Sequence, residues 1–302
     1  MSIRPLIPEL AVKAQSELNE DPQRVQSDLE HIKEWIKKQP HLNARTDDQW
    51  LITFLRGCKF SLERTKEKID LYYSIRTLAP ELFFKRKHNE PIFQEILESG
   101  YVVLTKAQKQ IIMEVFLNMD KYKITDFFAV SNVMQRIMLA DDDNTVVSGA
   151  RFIMDIEGVH MSFFLQMTPT LMKKMSIYSQ DAVPLRFKGG HYINVGSGFE
   201  TIYNAMKRFL NEKTKSRLYV HNKNFDELYQ HIPKEVLPVE YGGNGGTIPE
   251  IVEYWKKKIV EYSDWLDEDL QYGTDESKRP GKPKSAEEMF GVDGSFRQLE
   301  FD

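Results

Sequence analysis

A single cysteine, Cys58, in 302 residues rules out an internal disulfide. No apolar run approaches the roughly 18 consecutive residues that a membrane-spanning helix needs. The longest, such as Ile111-Ile112-Met113, are broken by charge within a few residues. The N-terminus carries Arg4, Pro5, Pro8 and Glu9 and lacks the apolar h-region of a secretory signal. Together these absences set the expectation of a cytosolic protein that crosses no membrane. No internal repeat is present. Hydrophobic and charged fractions of 41% and 28% are ordinary, and the length allows one large domain or two.

Catalytic signatures are equally scarce. His31, His41, His88, His160, His191, His221 and His231 show no metal-ligand spacing, so no metal or cofactor is expected. His191 and His221 flank apolar strand patterns and read as core groups. Gly196-Ser197-Gly198 begins like a dinucleotide fingerprint, but its third glycine position is Thr201 and no acid follows at the expected strand end. It does not have the spacing of a nucleophile elbow either. Gly242-Gly243-Asn244-Gly245-Gly246 lacks the lysine and hydroxyl residue of a phosphate-binding loop. Asp155 and Glu157 stand two apart on one strand face, as an acid/base or metal pair would; fixing the strand-to-helix turn is the preferred reading. Cys58, beside Lys59, has two readings, a thiol of lowered pKa or a small buried apolar group, and the second is preferred.

What is present is an alternation of strands and helices from Gly149 to Gly243. Gly149–Ile156, Gly190–Val195 and Ser216–His221 have strand patterns. Thr168-Pro169 opens an intervening helix as N-cap and first-turn proline. A second intervening helix carries Phe199, Ile202, Tyr203, Met206, Phe209 and Leu210 on one face. Strands joined by helices imply an α/β fold with a mainly parallel sheet. The first hundred residues read as helical: Asp21-Pro22 opens a helix, Thr46 with Gln49 forms a capping box, Ser61 caps a third, and Glu90-Pro91 opens a fourth that ends near Gly100. Tyr101–Thr105 and Gln110–Asn118 pair as strands around Lys106–Lys109. A long helix is predicted from Thr125 to about Leu139 and a last one from Pro249 to about Leu270. The final residues, 296–301, alternate weakly as an edge strand would.

Charge is uneven. The chain carries −4 overall, yet Lys173 to Arg217 holds nine basic residues against three acids. That pattern suits a localised anion such as a phosphate head group better than a nucleic acid. Nine of the twelve methionines lie between Met113 and Met175, where adaptable apolar surface is implied.

Several segments resemble the CRAL-TRIO, or Sec14-like, lipid-transfer proteins, whose relatives include tocopherol and retinaldehyde carriers. They are Asp47–Phe60, Asp155-Ile156-Glu157-Gly158, Thr168-Pro169 with Lys173-Lys174, Pro184–Lys188, Asn194, Phe209-Leu210, Lys213, Arg217, His221 and Leu237–Gly243. The match runs in order from about residue 25 to 265, and Gly294-Ser295-Phe296 resembles the tail of arthropod members. Two departures stand out: Cys58 replaces a frequent basic residue, and Gly196-Ser197-Gly198 replaces a proline after Asn194.

The resemblance implies a helical N-terminal domain over 1–95, a lipid-binding α/β domain enclosing an apolar cavity over 96–270, and an extension over 271–302. It implies cavity walls at Phe128, Ser131, Gln135, Met154, Met161, Met167, Met175, Tyr178, Val183, Phe187 and Ile193. The stripe Phe199, Ile202, Tyr203, Met206, Phe209 and Leu210 becomes a mobile gate helix. Arg186, Lys188, Lys213 and Arg217 become a phosphoinositide cleft, with solvated surface charge as the plainer alternative. The expected function is carriage of one hydrophobic molecule (retinoid, tocopherol, carotenoid or phospholipid) by a cytoplasmic, peripherally membrane-associated monomer that does not bind nucleic acid and is not an enzyme. Phospholipid transfer, a lipid-sensing adaptor, and a nucleotide-dependent oxidoreductase on the same sheet are the rivals.

Overall fold

The computed structural model describes residues 3–83, 90–100, 102–104, 111–115, 121–159, 161–196, 198–221 and 225–291, with backbone alone at 102–104, 111–115 and Met161. Five helices come first: α1 (Pro8–Leu18), α2 (Val25–Lys37), α3 (Asp48–Gly57), α4 (Leu62–Leu78) and α5 (Pro91–Glu98). Prolines open α1 and α5, where the missing amide hydrogen costs no helical bond. Asp47, not Thr46, caps α3: its carboxylate accepts the Trp50 amide at 2.9 Å, a bond of the kind that stabilises a helix by about 1 kcal/mol. The second helix starts at Val25 and not at Pro22. Asp21 takes the Gln23 amide on its side chain and the Arg24 and Val25 amides on its carbonyl, making a turn ahead of the helix. Ser61 stands at the N-cap of α4, but its side chain makes no cap bond there. The sequence offers little sign of α1, whose buried face is only Ala14 and Leu18 packed on Val147.

The two-residue strand β1 (Leu42–Asn43) pairs antiparallel with β7 (Gly273–Thr274), tying the C-terminal segment back to the helices. In the main sheet β2 (Val102–Leu104) lies antiparallel to β3 (Ile111–Val115). From β3 onward the strands are parallel: β3, β4 (Ala150–Asp155), β5 (Phe187–Ile193) and β6 (Leu218–Val220), side by side in that order. Helices α6 (Ile124–Asp141) and α7 (Asp143–Ser148) connect β3 to β4. The pair α8 (Met161–Phe164) and α9 (Pro169–Ile177) connects β4 to β5, and α10 (Phe199–Lys207) with α11 (Glu212–Lys215) connects β5 to β6. Thr168 caps α9 as the sequence predicts, its hydroxyl accepting the Leu171 amide at 3.2 Å. After α12 (Asp226–His231), the expected last helix divides at Tyr262 into α13 (Ile248–Glu261) and α14 (Ser263–Asp269), followed by α15 (Ala286–Phe290). The loop 106–109, Ser197 and the 294–301 segment lie outside the described residues.

Buried side chains of the first hundred residues and of the α/β segment form one contiguous core. Trp50 and Tyr72 meet at 6.0 Å between ring centroids, and Tyr72 reaches Tyr178 at 6.5 Å. Gly57, at the end of α3, permits a close approach: a Cβ there would stand 2.6 Å from the Pro184 carbonyl oxygen in the segment leading into β5. Asp155 closes the other end of the sheet. Its carboxylate accepts the Glu157 amide at 2.9 Å, the Asn194 side-chain amide at 3.0 Å and the Tyr241 hydroxyl at 2.6 Å. Asp155 thus fixes the turn after β4, as the preferred reading of Asp155 and Glu157 expects.

Candidate ligand cavity

Strand register decides what faces the interior. Phe152 sits opposite Gly190 and Met154 opposite Tyr192 in the β4–β5 pair, so these four share one face of the sheet. Leu218 pairs with Gly190 and joins them. An irregularity in the ladder beside Ala150 and Arg151 shifts Phe187 onto the same face, where its ring stacks on Phe152 at 5.9 Å. Gly190 leaves room for that ring, since a Cβ would stand 3.3 Å from its tip.

Above this face lies a cavity of about 1070 Å³. Phe128, Ser131 and Gln135 line it from α6, Met167 and Met175 from the start and body of the α9 segment, and Tyr178 and Val183 from the turn that follows. The Tyr178 hydroxyl donates to Gln135 Oε1 at 3.0 Å. Of the residues expected in the walls, Met154, Phe187 and those just named line the cavity. The side chain of Met161 lies outside the described residues. Ile193 is a correction. It is fully buried and one residue out of phase with Tyr192, so it packs on the opposite face of the sheet.

The expected gate runs along the cavity's edge. Only Phe199 on its stripe is buried; Ile202, Tyr203, Met206, Phe209 and Leu210 are half-buried. Helix α10 ends at Lys207, so Phe209 and Leu210 occupy the turns beyond it. Met206 and Leu210 line the cavity. Phe199 and Tyr203 stack on each other at 5.6 Å and close around Tyr192 at 5.2 and 5.4 Å. At the far end the Phe209 carbonyl accepts bonds from Ser176 Oγ at 2.5 Å and Gln180 Nε2 at 3.2 Å, and Gln180 Oε1 accepts the Asn211 amide at 2.9 Å. An aromatic cluster therefore holds one end of this segment and two polar side chains hold the other.

One end of the cavity is lined by exposed residues and opens to solvent. Its cationic lining is Lys59, Arg64, Lys68, Arg186, Lys188, Lys213 and Arg217, against the acids Glu17, Glu67 and Asp181. All four expected cleft residues are brought together here. Arg186 donates to Glu17 Oε2 at 3.3 Å and to the Val147 carbonyl; Arg217 donates to the Phe187 carbonyl at 2.6 Å. Burial, then the neighbouring Arg186, Lys13 and Arg217, pulls the Lys188 amine below the usual lysine range. Burial does the same to Lys68, whose ammonium donates to the carbonyls of Asp181 and Val183. Lys68, Glu17, Ser176 and Gln180 are neighbours of the cavity that sequence reasoning misses, because nothing local says which side chains of their helices and turns face it. Cys58 lines the cavity, and burial pushes its thiol up, away from a reactive thiolate.

On the far face, His191 Nδ1 and His221 Nε2 stand 2.9 Å apart, both buried. Burial, with His221 and His231 adding, lowers His191 to about 3. Both are core groups that bond each other, with His221 Nδ1 3.7 Å from Glu227 Oε2. Among the described residues no cluster of three metal-ligating side chains occurs, and no helix is long and apolar enough to cross a membrane.

The family described as CRAL/TRIO domain matches residues 99–243, and that described as Pinta-like, UBA domain matches residues 21–93. The human protein named Alpha-tocopherol transfer protein-like is 29% identical over 249 residues, covering 80% of this chain and 72% of its own length. Human Clavesin-2 is 26% identical over 287 residues, covering 92% of this chain and 85% of its own. The crystal structure of Sfh5 aligns at 17% identity with a TM-score of 0.46, over 85% of this chain and 100% of that one.

Proposed function

Because this chain belongs to the CRAL-TRIO family of lipid-binding and transfer proteins, we propose that it is a carrier for one hydrophobic small molecule, not an enzyme. The observation that carries this reading is the cavity of about 1070 Å³ walled by Phe128, Phe152, Met154, Met167 and Met175 beneath a half-buried amphipathic helix. It slightly exceeds the volumes usual for small-molecule sites, about 300–1,000 Å³. Retinoid, tocopherol and carotenoid are the ligand classes proposed, and the name of the tocopherol-transfer relative supports the second. Residues 1–95 would act as the helical cover, 96–270 as the lipid-binding unit and 271–302 as an extension. Exchange takes place at a membrane, from a cytoplasmic monomer. The segment from Phe199 to Leu210 swings out as the gate, and a phosphoinositide head group at Arg186, Lys188, Lys213 and Arg217 favours the open form by binding it more tightly.

One observation favours phospholipid as the cargo itself: seven cationic side chains at the solvent end would hold a phosphate while the acyl chains fill the apolar end. Titration with fluorescent retinoid, tocopherol and phospholipid probes separates the two. Saturable uptake of one probe per chain is expected for the cargo class. No uptake above that of an unrelated control protein would end the carrier reading.

A further inference from the structure

The cationic end of the cavity already contains an anion of its own. Helix α1 brings Ser16, Glu17 and Asn19 to the cavity's edge. Glu17 Oε2 accepts a bond from Arg186 Nη1 at 3.3 Å, and the Glu17 side chain remains 44% exposed. Arg186 has little other latitude: its side chain is 14% exposed, its second terminal nitrogen is held by the Val147 carbonyl, and its buried Nε has no partner. Lys13, Lys188 and Arg217 crowd the same place. Lys13 is tied to Ser148 Oγ at 3.0 Å and Arg217 to the Phe187 carbonyl. The helix that delivers Glu17 is anchored independently, by Ala14 and Leu18 against Val147.

We infer that Glu17 is a built-in competitor for the anion site, occupying Arg186 until a phosphate of the head group displaces it. The inference rests on the reading of this cleft as a phosphate site and adds how its affinity is set. A carboxylate carries one charge and a phosphomonoester up to two, so the incoming group wins Arg186 while Glu17, being exposed, turns into solvent at small cost. Affinity is thereby held below what the cations alone would give, which keeps the carrier from residing on an anionic membrane. With its carboxylate open to water, a pair of this kind is worth about 1 kcal/mol, which corresponds to a several-fold change in binding.

The test is co-sedimentation with phosphatidylcholine vesicles containing a phosphatidylinositol bisphosphate, comparing the unaltered protein, Glu17→Gln, Arg186→Gln and the double variant. Glu17→Gln should bind about three- to fivefold more tightly, and the gain should vanish in the Arg186→Gln background. Apolar-probe binding and thermal midpoint serve as controls for folding and should move little with Glu17→Gln. Equal binding by the unaltered protein and Glu17→Gln, or a gain that persists without Arg186, overturns the competitor while leaving the cleft in place. Absence of vesicle binding by every variant, with apolar-probe binding intact, sinks the cleft and the competitor together.

Discussion

Gly198, at the head of the proposed gate, has φ +86° and ψ −15°, in the left-handed region. Gly196, two residues earlier, lies outside that region, and a Cβ added to it would meet nothing within 4 Å. The two glycines therefore make a matched pair. An alanine at Gly198 places a Cβ against the following carbonyl, at a cost of about 1–2 kcal/mol in the closed arrangement. An open arrangement that relaxes φ escapes this cost, so the closed-to-open ratio should fall by about five- to thirtyfold. Alanine at Gly196 should be neutral or slightly stabilising, by about 0.4–1 kcal/mol, because it restricts only the unfolded chain. Hydrogen exchange across 198–212 reads the opening directly, and vesicle-to-vesicle transfer of a fluorescent ligand reads its consequence. Gly198→Ala should speed exchange in that segment relative to strands β4 and β6, weaken ligand retention by the same factor and accelerate release. Gly196→Ala should do none of these. If the two variants behave alike, or if Gly198→Ala slows release, the hinge does not lie at the head of α10. Proline at Gly198 is unsuitable as a probe, since its ring fixes φ near −65° and would break the closed form outright.

Three further outcomes are expected. Charge reversal at Lys213 and Arg217 should weaken sedimentation with phosphoinositide vesicles by about 1 kcal/mol per residue and leave apolar-probe binding intact; the single Lys213→Glu variant isolates the surface term, because Arg217 also bonds the Phe187 carbonyl. The lowering of His191 from its ordinary 6.5 to about 3 means the unfolded chain binds a proton that the fold resists. Its contribution is complete above about pH 6.5 and is lost as pH falls toward 3; the whole shift corresponds to about 5 kcal/mol, and His191→Gln should flatten that limb of denaturant stability against pH. Asp155→Asn weakens three bonds that converge on one carboxylate and should cost about 2–4 kcal/mol by chemical denaturation; a change under about 0.5 kcal/mol would remove Asp155 as the tie between β4, β5 and the glycine-rich exit.

The parts of this architecture legible in the sequence are those with local chemical causes. Thr168-Pro169 announces α9, Glu90-Pro91 announces α5, and apolar strand patterns mark β4 and β5 to within three residues. Periodicity does not say which face of a strand meets the cavity when both faces are buried, as in β5, and that is why Tyr192 lines it and Ile193 does not. The ladder irregularity that turns Phe187 inward has no sequence signature. Lys68, Glu17, Ser176 and Gln180 reach the cavity or the 199–210 segment beside it through long-range packing of α1, α4, α9 and the turn after it, so no window of neighbouring residues could reveal them. The basic cleft falls between these cases: its charges are conspicuous in the sequence, but their convergence depends on β5 and β6 lying side by side.

The central claim, that this chain carries a hydrophobic ligand in the cavity beneath α10, is tested most directly by organic extraction of the purified protein followed by mass spectrometry. The unaltered protein should yield one class of apolar molecule in near-equal proportion to the chain. A variant that narrows the cavity from its wall, Met175→Trp, should remain folded by circular dichroism and yield markedly less. Extracts free of lipid from protein purified without detergent, together with failure to load any apolar ligand afterwards, would contradict the account.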